Sequence, residues 1–132
     1  MIFQSLTQYR DSGFSPRVAI IGTGPAGITV ARRLAAAGVP SLLLDAGDVE
    51  YTDGAQRVYQ GEVIGDPYFE LDEARLRHFG GTSGHWSGWC RLLDAHDFDQ
   101  HAWIPNSGWP IGRDAIDPYV PAALETLGLE PF

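Results

Sequence analysis

The chain has 132 residues, a formal net charge of −8 and no lysine. So acidic a surface excludes nucleic acid and anionic membranes as attractive partners. The length supports at most one modest domain, able to bury roughly two-thirds of its unfolded surface, and a lone cysteine, Cys90, excludes an internal disulfide.

Residues 1–16 are polar with scattered aromatics and read as a lead-in arm. They carry no basic segment followed by an apolar one, so no export signal is expected. No apolar run approaches the ~20 residues that span a bilayer, and a soluble, cytoplasmic protein is expected. Arg17–Ile21 has the apolar character of a buried parallel strand. Pro25 opens a helix whose Ile28, Ala31, Leu34 and Ala35 recur at helical spacing, with Arg32 and Arg33 off that face. Gly38 and Pro40 end it. Ser41–Asp45 is a second strand, closed by Ala46-Gly47. Strand, crossover helix and strand make a βαβ unit and an α/β fold class.

The pattern then weakens. A short helix is expected over 55–59, an extended piece over 60–65 and a turn at Asp66-Pro67. Residues 94–110 read as loop with one helical turn. Asp117-Pro118 reads as N-cap and N1 of a helix running to about Leu127, capped by Gly128. Only two strands are secure, each reading as buried on both faces. A two-stranded parallel sheet does not stand alone. The chain is therefore expected to begin a larger domain, whether as a fragment, a truncated product or one piece of an assembly.

Chemistry concentrates in two glycine-rich stretches. Gly22, Gly24 and Gly27 have the spacing G-x-G-x-x-G between a strand and a helix. The first glycine permits the tight turn, the second close approach of a phosphate, and the third close packing of helix on strand. The helix N-terminus beside them favours an anion. Asp45 lies 18 residues after Gly27, near the spacing of a ribose-binding acid. A carboxylate there accepts ribose hydroxyls and repels a 2′-phosphate, which favours FAD or NAD over NADP. The second stretch, residues 80–88, sets Thr82, Ser83, His85, Trp86 and Ser87 among glycines. It reads equally well as a surface loop or as a place for a flat conjugated ring with polar atoms at its edge. Arg75 and Arg77 either offset phosphate charge or are solvated. His78, His85, Cys90, His96 and His101 match no zinc spacing, and no metal is expected. Cys90 reads as a small buried residue, Trp103 and Trp109 as packing residues.

The run Arg75-Leu-Arg-His-Phe-Gly-Gly-Thr-Ser-Gly-His-Trp-Ser-Gly88 resembles the flavin-binding loop of the glucose–methanol–choline (GMC) oxidoreductases. Trp103–Ile111 and Asp117-Pro118-Tyr119 resemble later segments of that family, so the resemblance runs from Arg17 to Leu129. The Ser-x-His-Trp pattern is most similar to the pyranose oxidase-like and bacterial sugar dehydrogenase branch. The resemblance implies an incomplete, Rossmann-like FAD-binding domain over 17–132, following the arm 1–16. It implies an FAD-dependent oxidoreductase that takes hydride from a CH–OH group of a sugar, glycoside or other alcohol. FAD contacts would come from Gly22, Gly24, Pro25, Ala26, Gly27, Asp45, Ala46 and Arg77. Further contacts would come from Gly80, Gly81, Thr82, Ser83, His85, Trp86 and Ser87.

His85 occupies the place of the histidine that carries the flavin covalently in pyranose oxidase. Gly84 and Ser87 each stand where that enzyme has threonine, and noncovalent FAD is expected. The family's catalytic base belongs to a C-terminal portion not matched here, so no catalytic residue is assigned and the chain alone is not expected to turn over. A partner chain would supply the remainder. The rival expectations are a non-catalytic nucleotide-binding module and an NAD-dependent dehydrogenase fragment.

Overall fold

The structure, a computed structural model, describes residues 1–130. It is a mixed α/β chain with one small parallel sheet. The chain divides between Gly88 and Trp89 into two compact units. Among the described residues, no helix is long and apolar enough to cross a membrane.

The first unit is built on β1 (Val18–Ile21) and β2 (Ser41–Leu44), which pair in parallel from Val18 opposite Ser41 to Ile21 opposite Leu44. Two further bonds extend the pairing beyond both ends, Arg17 N to Pro40 O (2.8 Å) and Gly22 N to Leu44 O (2.8 Å). The expected arm is not structureless: α1 (Leu6–Asp11) forms within it, capped by Ser5, whose hydroxyl accepts from Gln8 N.

α2 (Pro25–Ala36) crosses between the strands and packs on both. Its half-buried Ile28, Ala31 and Leu34 match the expected face, while Ala35 is exposed beside Arg32 and Arg33. Gly38, at φ +68°, turns the chain out of the helix, and Gly38 N and Val39 N return to the carbonyls of Ala35 and Leu34. One expectation fails here. β1 is not buried on both faces: Val18 and Ile20 are half-buried, but Ala19 and Ile21 are exposed, Ile21 by 88 %. Period-two alternation puts Val18 and Ile20 on one side of the sheet and Ala19 and Ile21 on the other, and α2 packs on the Ile20 side, where Gly27 approaches Ile20 Cγ2.

After β2 the chain forms α3 (Asp53–Gln56), capped by Thr52, and a 3₁₀ turn at Arg57–Tyr59. No strand forms over 60–65, and the bend falls at Gly65-Asp66. α4 (Leu71–Ala74) follows. The buried side chain of Gln56 explains how such short pieces hold. Its amide donates to the carbonyls of Asp72 and Arg75, and its Oε1 accepts from Arg77 N at 3.0 Å. One side chain thus fixes the path of residues 72–77.

In the second unit, a 3₁₀ turn at Ala95–Phe98 is closed by a capping box between Asp94 and Asp97. Phe98 and Leu124 are the buried apolar residues of the described chain. The Trp109 ring lies 6.2 Å from that of Phe98, and Trp103 stacks on His101 at 4.8 Å. Both tryptophans remain largely exposed. α5 (Val120–Leu127) ends at Gly128 (φ +68°) as expected, but it starts later. Asp117 does not cap it. Residues 117–119 form a separate 3₁₀ turn, and the Asp117 carboxylate accepts from Arg113 Nε at 2.6 Å.

Candidate functional site

The turn from β1 into α2 behaves as its glycines require. Gly22 adopts φ +97°, the left-handed region that glycine enters without penalty. A Cβ on Gly27 would lie 2.0 Å from Gly22 O, so only glycine lets helix and turn meet this closely. A Cβ on Gly24 would meet nothing within 4 Å, so the backbone there faces open space. Gly24 is the N-cap and no side chain caps the helix. The first N–H groups of α2 therefore lack intrahelical acceptors and form its positive dipole end.

Three segments meet at this turn. The first is the end of β2. Asp45 Oδ2 accepts from Thr23 N at 2.9 Å and from the Thr23 hydroxyl, while Oδ1 accepts from Gly47 N at 2.8 Å. The second is residues 76–79, which run against Gly47. A Cβ on Gly47 would lie 2.2 Å from Arg77 O and 2.7 Å from His78 Cα, so glycine is obligatory here too. Asp48 and His78 form a parallel bridge, and Phe79 N donates to Asp48 O at 2.9 Å. Arg77 Nε donates to Ala46 O at 3.3 Å, and its guanidinium lies 5.5 Å from the Tyr59 ring centroid. The third is the second glycine-rich stretch. Gly80, at φ +92°, leads into a 3₁₀ turn at Gly81–Gly84, and Gly80 N donates to both Thr23 O (3.1 Å) and Thr23 Oγ1 (3.3 Å). The Ser83 hydroxyl donates to Gly80 O, and the Thr82 hydroxyl accepts from Leu76 N.

These segments enclose a cleft of about 780 Å³, within the 300–1,000 Å³ usual for ligand sites. From the first segment it is lined by Gly22, Thr23, Gly24 and Pro25, with Ile21 and Leu44 behind. Asp45, Ala46, Tyr59, Leu76, Arg77, His78, Gly81, Thr82, Ser83 and Trp86 line the rest. The two glycine-rich stretches of the sequence therefore share one cavity. Ala26, Gly27, Gly80, His85 and Ser87 stand outside its lining. Gly27 and Gly80 shape the turns behind it. His85 and Ser87 are exposed, and His85 N donates to Thr82 O.

The carboxyl group of Asp45 sits below the ordinary carboxylate range. Partial burial pushes it up, but bonds from the Thr23 hydroxyl and from the N–H groups of Gly47, Thr23 and Ala46 outweigh that effect. The group is an anion with most of its acceptor capacity already engaged.

Thr23, Tyr59, Leu76 and Gly47 are not among the expected site residues, and His78 is weighed there only as a metal ligand. Thr23 occupies an unspecified position of the glycine fingerprint, and Gly47 reads as an ordinary strand end. Among the described residues, no three His, Cys, Asp or Glu side chains are grouped to hold a metal ion. Compared with family models, curated proteins and solved structures, the chain gives no match.

Proposed function

We propose that this chain is the FAD-binding portion of a GMC-type oxidoreductase that oxidises CH–OH groups of a sugar, glycoside or other alcohol. The observation that carries the reading is the meeting of the two glycine-rich stretches in one cleft, with Asp45 and Arg77 on its wall. The fit to the cofactor is physical. The α2 N-terminus and the open face of Gly24 suit a pyrophosphate. Asp45 suits a ribose hydroxyl, and the Gly81–Trp86 side suits a flat ring with hydroxyls at its edge. On this reading β1, α2 and β2 form an incomplete Rossmann-like unit.

Bound FAD supplies a hydride acceptor at the flavin N5. The chain's own residues bind and orient. Gly22 and Gly24 with Pro25 would hold the pyrophosphate, Asp45 and Ala46 would hold the adenosine end, and Arg77 would add positive charge in an acidic chain. Thr82, Ser83 and Trp86 would hold the ring system. Proton removal from an alcohol needs a base, which the family resemblance assigns outside these residues, to a partner chain or a further segment. Turnover by the chain alone is therefore not expected.

Titration of the purified chain with FAD and, separately, NAD tests the reading by flavin absorbance and fluorescence. Saturable FAD binding is expected. NAD binding without FAD binding would favour a nicotinamide-dependent dehydrogenase fragment and overturn it. Bleaching of the FAD-loaded chain by sugars or alcohols would contradict the expected lack of turnover.

A further inference from the structure

Thr23 is 3 % exposed, the most buried residue of the described chain. It stands inside the glycine fingerprint, where the spacing rule leaves the residue unspecified. Its polar atoms are all engaged with distant segments. The N–H and hydroxyl both donate to Asp45 Oδ2, 22 residues on. The carbonyl and the hydroxyl oxygen both receive Gly80 N, 57 residues on. One side chain thus links the phosphate turn, the tip of β2 and the entry to the second glycine-rich loop.

We propose that Thr23 is a positioning residue that holds Asp45 and the entry to the second glycine-rich loop in register. The inference rests on the nucleotide reading for the ligand, but the tether exists without one.

Two substitutions separate the hydroxyl from the shape. Thr23→Val keeps volume and removes the hydroxyl; Thr23→Ser keeps the hydroxyl. In the ligand-free full chain, amide exchange over Gly80–Ser83 is expected to quicken in the valine variant and to stay near wild type in the serine variant. ADP then probes the cleft by calorimetry. Thr23→Val should weaken ADP binding by about tenfold, with rescue in Thr23→Ser.

The acid limb gives a further readout. Arg77, His78 and Tyr59 are the other titratable groups on the cleft lining beside Asp45, and all three remain in both variants. Removing the hydroxyl should raise the pH at which ADP binding fails as Asp45 takes up a proton. Unchanged exchange in Thr23→Val would overturn the hydroxyl's part in the tether, whatever binds. Quickened exchange with no ADP binding in wild type would keep the tether and remove the nucleotide reading instead.

Discussion

At the scale of single residues, the glycines divide by what a methyl group would strike. Gly27→Ala places a carbon 2.0 Å from a backbone oxygen, and neither partner is a flexible side chain. A loss of roughly 3 kcal/mol of stability is expected, although alanine is the better helix former. Urea denaturation checks it; a stabilised variant would refute the close packing. Asp45 makes a pH-dependent prediction. Its folded-state pKa is depressed, so its contribution to stability is present above the unfolded value of about 3.9 and is lost as pH falls through the folded one. The difference in melting temperature between wild type and Asp45→Asn should therefore shrink as the pH drops below about 4. His85 lies outside the cleft lining, so acid precipitation of the FAD-loaded chain should leave a colourless pellet; a yellow one would assign a covalent bond.

At the scale of elements, β1, α2 and β2 were legible because each has a period and a punctuated end. Ile20, Ile28 and Leu34 announce buried faces, and Gly22, Pro25 and Gly38 mark the boundaries. The exposure of Ile21 was not legible. Strand composition reports a residue's suitability for burial, while the cover itself comes from other elements. α1 carried a readable signal, Ser5 three residues before Gln8, and in the structure the Ser5 hydroxyl accepts from Gln8 N. α3 and α4 are too short for periodicity to speak; they are set by backbone bonds made through Gln56. Replacing that side chain tests the dependence. Gln56→Leu leaves two carbonyls and one N–H without their partner. A cost of about 2–4 kcal/mol is expected, with faster amide exchange confined to residues 71–77. An unaltered exchange pattern would mean that α4 holds itself.

At the scale of the whole molecule, the fingerprint and the second glycine stretch were each readable, but their meeting was not. Nothing in sequence spacing brings residue 80 to residue 23; the contact is made by Thr23, Gly47 and the bridge from Asp48 to His78. The lining is correspondingly narrower than the set of site residues expected, holding Trp86 and Ser83 but not His85 or Ser87.

One dinucleotide is expected to occupy both stretches at once. Backbone amide NMR of the full chain during FAD titration tests this most directly. Saturable shifts are predicted together at Gly22–Gly24, at Asp45-Ala46 and at Arg77–Trp86. Shifts limited to one stretch, or none in any of the three, would contradict it.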